Sequence, residues 1–232
     1  MSEAAKESLH KEFELERMIL FSDAVFAIAI TLLILEIKFP EVPEDSTTRD
    51  ALHLLYPTFI HFGAFVISFF FIGMSWARHL MLCKFLKQYN NTVIFYNLLL
   101  LFFIVCFPFS ISAFIDNIRT AYLLAIFTYF SNILFVLLAQ FLFVRYILKT
   151  NTALAITGSE DEKQYFYIKS KYSFLMIAAS IAVMTIVAII SNGNLLAVAI
   201  SLYVLPLFAI IIKRKVKKYK PKNLKSVNSA IN

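Results

Sequence analysis

Long apolar segments separated by short polar ones make up most of this chain. They cover residues 18–38, 54–77, 92–114, 120–147, 172–192 and 195–212. About 20 residues of α-helix span roughly 30 Å, the thickness of a bilayer's hydrocarbon core. The last two segments are joined by the polar turn 191–194, which predicts an antiparallel hairpin. The pattern predicts an all-α polytopic membrane protein with six transmembrane helices per chain.

Composition supports this class. The chain has 232 residues, 60% of them hydrophobic and 16% charged, whereas soluble domains have about 45–50% apolar and about 25% charged residues. The segments hold close to 20 residues, which favours helices over the strands of about 10 alternating residues that build a membrane barrel.

The distribution of positive charge predicts the orientation. The N-terminal 17 residues, the 78–91 loop, the 145–171 loop and the tail from residue 213 hold 3, 3, 5 and 8 of the 22 lysines and arginines. Loops rich in these residues stay in the cytoplasm. We therefore expect a multi-pass protein of the cell membrane with both termini cytoplasmic. The expected division is a cytoplasmic segment 1–16, a transmembrane domain 17–212 and a basic tail 213–232.

Both ends of the chain support further expectations. The leader is rich in acidic residues, and the first apolar segment is too long for a signal peptide and lacks a small-residue cleavage site. The basic tail is expected to bind anionic lipid, because juxtamembrane basic clusters do so. No motif for reading nucleic acid accompanies its charge, and no protein partner is indicated.

Several function classes are excluded by what the chain lacks. It has only four glycines, so it has neither a carbonyl filter of the TVGYG type nor a phosphate-binding glycine loop. Its four histidines show no metal-binding spacing. Cys83 and Cys106 fall at different depths and are not expected to pair. No enzyme activity, metal or cofactor is predicted.

Polar residues inside the first segment need an explanation. Ser22 and Asp23 lie about one turn inside its start, although a charge in the hydrocarbon costs up to about 3 kcal/mol. A stripe at helical spacing follows them: Ala24 or Val25, Ile28, Thr31 and Leu32, then Leu35. Because nearly every residue here is apolar, this periodicity alone also fits ordinary packing or lipid contact.

The stretch RMILFSDAVFAIAITLL, residues 17–33, resembles the signature of the transmembrane protein 175 family. That family comprises the lysosomal potassium channels of animals and their prokaryotic homologues. The segment FFFIGMSWARH, residues 69–79, is similar to the end of the family's second helix, with Trp76 and His79 as its W-x-x-H. One signature in the chain fits the prokaryotic, single-repeat type.

The resemblance implies a homotetramer in which the first helix lines a central pore. Carried over to this sequence, Ile28 is the main constriction, Thr31 provides a ring of hydroxyls, and Leu32 or Leu35 forms the next apolar layer. The implied function is a leak-like potassium-permeable channel that prefers potassium over sodium, with permeant potassium ions in place of a cofactor. The alternatives are a proton- or cation-coupled secondary transporter and a non-conducting membrane scaffold.

The buried charge suggests a polar cluster at the inner end of the pore helix. We expect Arg17, Phe21, Ser22, Asp23, Trp76 and His79 to form a structural network, in which indole, imidazole and guanidinium groups donate to the carboxylate. In the competing interpretations, Asp23 forms a cation-binding ring in the pore, or its role is purely structural and has no bearing on conduction. Asn97, Asn132 and Gln140 are expected to form hydrogen bonds between helices, and residues 150–165 a polar connector.

Overall fold

Eight α-helices account for most of the chain in a computed structural model, which describes residues 3–37, 43, 47–117, 122–191, 194–201 and 203–220. They are α1 Glu3–Leu32, α2 Thr48–Cys83, α3 Asn91–Val105, α4 Phe107–Asn117, α5 Tyr122–Arg145, α6 Glu160–Ile190, α7 Leu195–Ser201 and α8 Val204–Lys217. A 3₁₀ turn, Leu33–Glu36, extends α1, and a π-helical turn, Tyr146–Thr150, extends α5. The predicted all-α class is confirmed.

Five stretches within the described residues are long and apolar enough to cross a membrane: Glu12–Glu36, His61–Cys83, Asn91–Asn117, Leu123–Thr150 and Glu160–Ile190. They correspond to the first five predicted segments. The sixth segment, 195–212, contains α7 and part of α8, and residue 202 between them lies outside the described residues. A count of six spans therefore stays a prediction, as do the boundaries of the tail beyond Lys220.

The third span is broken where the sequence pattern showed one continuous segment. Helix α3 ends at Val105 and α4 begins at Phe107. Pro108 explains the break, because proline has no backbone N–H and its ring crowds the carbonyl of the residue four positions earlier, Ile104. The Ser110 N–H still bonds to the Cys106 carbonyl at 2.9 Å, and α3 and α4 together form the single candidate span Asn91–Asn117.

The predicted polar connector has a definite structure. The Lys87 N–H donates to the Leu154 carbonyl at 2.8 Å, and the Ile156 N–H donates to the Phe85 carbonyl at 2.9 Å. Gly158 and Ser159, both in the left-handed region, then turn the chain into α6.

We call this end of the bundle, with residues 84–90 and 151–159, the basic end. The opposite end, which carries Glu36 and Asp116, is the acidic end.

The packing of the bundle immobilises one side of α1. Helix α5 packs against α3, α4 and α6, while α1 packs against α2 and α3. One buried cluster includes Phe26 and Leu33 of the first span together with Ile72, Ile104 and Phe107. A second cluster at the basic end contains Leu15 of α1. Because α1 contributes to both clusters, its rotation about its own axis is determined along its whole transmembrane length.

Candidate functional site

One face of α1 is buried in the protomer. Ser22, Phe26, Ala29 and Leu33 are spaced by four, three and four residues and are at most 1% exposed. This spacing places them along one side of the helix. The face holds α1 against its neighbours, so the opposite face is presented outward.

The exposed face of α1 carries the predicted stripe. Ala24 and Thr31 are exposed, Ile28 is 58% exposed and Leu35 is 68% exposed. Leu32, beside them, is 39% exposed. These side chains project from the bundle on the side away from its core, so together they form a surface that the rest of the described chain leaves uncovered. We call Ala24, Ile28, Thr31, Leu32 and Leu35 the α1 stripe.

Thr31 is the only member of the α1 stripe with a polar side chain. Its hydroxyl donates to the Ile28 carbonyl at 2.9 Å. The proton is therefore directed at the helix backbone, and the lone pairs of the hydroxyl oxygen remain free to accept. An oxygen held in this way presents partial negative charge, which suits a cation better than an anion.

A buried hydrogen-bonded cluster lies behind the basic half of the stripe. The Ser22 hydroxyl donates to the Met18 carbonyl at 2.9 Å and accepts from the Asn97 amide at 2.8 Å. The Asn97 carbonyl oxygen lies 2.8 Å from His79 Nε2, which makes that nitrogen the donor. Ser22, His79 and Asn97 are each at most 1% exposed. We call these three side chains the α1–α2–α3 cluster, because each of the three helices contributes one.

Asp23 is bound separately. Trp76 Nε1 donates to its carboxylate at 2.8 Å. At about 100° per residue, Asp23 lies about 140° around the helix axis from Ile28. The carboxylate therefore points to α2 and away from the α1 stripe.

Two other residues of the predicted network lie elsewhere. Arg17 is exposed, and Phe21 is 54% exposed. Ala24, Phe21 and Arg17 precede Ile28 by four, seven and eleven residues. In a helix of about 3.6 residues per turn, these spacings place them on the same side as Ile28. Arg17 and Phe21 thus continue the line of the stripe toward the basic end. Among the described residues, the donor to Asp23 is the Trp76 indole, and His79 binds Asn97 instead.

Asn97 is the residue that sequence reasoning did not place in the cluster. The sequence predicts only a hydrogen bond between helices for Asn97, without a partner. The depth of these residues in the membrane could have paired Asn97 with Ser22. Asn97 follows the start of α3 by six residues, and Ser22 follows Arg17 by five. Both polar side chains are therefore about 8–9 Å inside the same end of the bundle.

The cluster is enclosed by apolar groups. The His79 ring lies 5.7 Å from the Phe26 ring and 6.3 Å from the Phe143 ring, measured between centroids. The Cys83 sulfur is 3.8 Å from the imidazole. In such surroundings an unpaired polar group is costly, and a paired one fixes the arrangement of the helices that carry it. Among the described residues, no group of three or more His, Cys, Asp or Glu side chains could hold a metal ion.

We expect Trp76→Phe to weaken the attachment of α1 to α2. The phenyl ring keeps most of the contact area but removes the N–H donor to Asp23, a loss of about 1–2 kcal/mol. Thermal unfolding of the protein in detergent measures the change. The control is Tyr203→Phe, which removes a hydroxyl from a side chain that is 73% exposed. Equal melting temperatures for wild type and Trp76→Phe would show that the contact contributes nothing.

Comparison with known proteins bears on these residues directly. Residues 17–108 match the family described as the endosomal/lysosomal potassium channel TMEM175. Over this segment the chain is similar to the TMEM175 family. The matched segment runs from α1 into α4 and contains every residue of the α1 stripe and of the α1–α2–α3 cluster, as well as Asp23 and Trp76. The resemblance read from the two sequence motifs is thereby confirmed.

Two bacterial potassium channels also match part of the chain. A potassium channel of Streptomyces collinus is 35% identical over 99 residues, which is 43% of this chain and 47% of the relative. A potassium channel of a Chryseobacterium species is 37% identical over 92 residues, 40% of this chain and 44% of the relative. The matched stretches thus span less than half the length of these relatives.

A solved structure extends the similarity to the fold of nearly the whole chain. It is the crystal structure of a lysosomal potassium-selective channel TMEM175 homologue from Chamaesiphon minutus. The two share a TM-score of 0.65 at 23% identity, over 88% of this chain and 98% of the other. At that identity the comparison shows a common fold. The family is described as a channel and not as an enzyme, in agreement with the expectation from the sequence.

Proposed function

We propose that this chain forms a potassium-permeable channel whose pore is lined by the α1 stripe of several copies. The observation that carries the proposal is the pair of opposite faces on α1. One face is sealed into the protomer, and the other presents Ile28, Thr31 and Leu35 outward. Because α1 is held so that it cannot rotate about its own axis, its exposed face can point steadily toward the central axis of an oligomer. A homotetramer, as the family resemblance implies, would bring such faces together.

Ile28 is proposed to form the constriction. A ring of isoleucine side chains about a narrow axis makes an apolar passage, from which water withdraws because it loses hydrogen bonds there. Ile28 lies eight residues, or about 12 Å, before the end of the Glu12–Glu36 span, which puts the constriction well inside the membrane. An ion must release part of its hydration shell to pass, and potassium releases water at a lower cost than sodium.

Thr31 is proposed to favour the potassium ion. Its hydroxyl oxygen, with the proton directed at the Ile28 carbonyl, can replace part of a lost hydration shell. It lies one turn from Ile28 toward the acidic end. This arrangement needs no re-entrant loop and no carbonyl filter, and we expect a modest preference for potassium over sodium.

The charges at the two ends of the bundle support a cation pathway in the cell membrane. Glu36 lies at the end of the pore helix, and Asp116 is exposed at the end of α4. Carboxylates at a pore mouth raise the local cation concentration. We further propose cytoplasmic termini, from the lysine and arginine distribution, and binding of the basic tail to anionic lipid.

Thr31→Ala is expected to remove the preference for potassium while conduction continues. The variant deletes the oxygen and keeps the apolar wall. The measurement is flux of potassium and of sodium from liposomes that hold the purified protein. Thr185→Ala is the control, because the Thr185 hydroxyl in α6 also donates to a carbonyl of its own helix, that of Ile181 at 2.8 Å.

The same liposome assay tests the proposed function as a whole. A channel dissipates a potassium gradient without a second ion. Flux that occurs only with a counter-gradient of protons or another cation would identify a coupled transporter instead, and no flux would favour a scaffold. An unchanged potassium-to-sodium ratio in Thr31→Ala would contradict the assignment of Thr31 alone.

A further inference from the structure

A cavity of about 410 Å³ lies on the side of the bundle, between the α3–α4 break and α5. Phe103 and Phe109 form its walls on one side, and Phe127 and Phe135 on the other. The break at Cys106 and Phe107 interrupts the helix beside it, and Cys106 also lines the space. The α1 stripe contributes no residue to this cavity.

The cavity is deep in the membrane. Asn132, at its floor, follows the start of its span at Leu123 by nine residues, or about 14 Å along the helix axis. A hydrocarbon core is about 30 Å thick, so Asn132 is near its middle. The head group of a phospholipid does not reach that depth, and no charged side chain lines the cavity.

The floor of the cavity offers a hydrogen-bond acceptor. Asn132, which is 7% exposed, donates to the Ser110 hydroxyl at 3.0 Å. The Ser110 hydroxyl in turn donates to the Phe107 carbonyl at 2.9 Å, so it cannot also donate to Asn132. Among the described residues, none donates to the carbonyl oxygen of Asn132. A polar atom left without a donor in hydrocarbon is costly and calls for a partner.

We propose that this cavity binds an uncharged, bilayer-soluble alcohol or phenol. The apolar body of the ligand lies against the phenylalanine rings, and its hydroxyl donates to the carbonyl oxygen of Asn132. The volume falls within the range of small-molecule pockets, which are mostly apolar with a few polar groups that orient the ligand. Helix α4 packs against the 3₁₀ turn Leu33–Glu36. The ligand would therefore lie one helix away from the acidic end of α1.

Photolabelling of the protein in liposomes tests the proposal. The two probes are an octanol and an octane that carry the same diazirine, and mass spectrometry quantifies adducts on residues 103–110 and 127–135. We expect about fivefold more labelling by the alcohol than by the alkane, as one hydrogen bond would give. Asn132→Leu should reduce labelling by the alcohol to the level of the alkane. Ser131→Trp, which fills the cavity, should suppress both, and Leu124→Trp, which replaces an exposed residue outside it, should suppress neither.

Equal labelling of the wild type by the two probes would overturn the proposal, since it would show that the hydroxyl contributes nothing to binding. Labelling that Ser131→Trp leaves unchanged would overturn it as well. If Asn132→Leu does not fold, a protection experiment on the wild type tests the same site. Unlabelled octanol should slow the reaction of Cys106 with a bilayer-soluble maleimide more than unlabelled octane does. Lack of protection counts against the site.

Discussion

We expect Ile28→Asn to increase potassium flux through the reconstituted protein about tenfold, which corresponds to lowering the barrier to conduction by about 1.4 kcal/mol. The reason is that a polar side chain at the proposed constriction keeps water in the pore and gives the ion an oxygen to bind. Ile28 is 58% exposed in the protomer, so the change leaves the core of the bundle intact. Flux of potassium from liposomes, normalised to the amount of reconstituted protein, is the measurement.

Ile186→Asn provides the matched control for this experiment. Ile186 lies on α6 and is 55% exposed, so the same substitution places an amide at a similar exposure away from the α1 stripe. We expect no gain in flux there. If Ile28→Asn and Ile186→Asn both conduct like the wild type, the stripe is an ordinary packing surface and the pore must be sought elsewhere. A gain in both would indicate a general loosening of the bundle.

Asn97→Leu is expected to have the largest effect on stability. Leucine has the same branched shape as asparagine but leaves His79 Nε2 without its acceptor in a fully buried position. The loss should be about 2–3 kcal/mol. The loss of the Asn97 donor to Ser22 contributes less to this destabilisation, because the Ser22 hydroxyl can still donate to the Met18 carbonyl in the variant. Thermal unfolding and the fraction of intact oligomer in detergent report the effect.

A double-mutant cycle separates this hydrogen bond from simple packing. His79→Phe should also destabilise the protein, since it leaves the Asn97 carbonyl oxygen unpaired. In the double variant, apolar side chains of similar shape replace both partners, so neither polar group is left unpaired. Its loss of unfolding free energy should therefore be smaller than the sum of the losses in the two single variants. Additive losses would mean that the two side chains do not interact.

Asp23→Ala tests the role of the carboxylate. Impaired assembly would support an anchoring role for Asp23, whereas a well-assembled channel with altered ion preference would support a cation-binding ring.

Much of the architecture could be predicted from the sequence. Apolar segments of about 20 residues predicted the helical membrane class and the first five spans, because a bilayer of fixed thickness demands that length. The motif around Ser22 and Asp23 led to the TMEM175 family, and Pro108 contains the reason for the break between α3 and α4. The indole of Trp76 was also among the donors expected for Asp23, since a carboxylate in a membrane requires one.

Only the tertiary structure decided which side of α1 is buried and which polar groups meet. Almost every residue of this helix is apolar, so its hydrophobic periodicity has too little contrast to indicate a face. Packing against α2 and α3 supplies that information, by burying Phe26 and Leu33 and leaving Ile28 and Thr31 exposed. The partner of His79 is likewise a matter of position: a buried donor takes the acceptor that the neighbouring helix places within reach, and here that is Asn97.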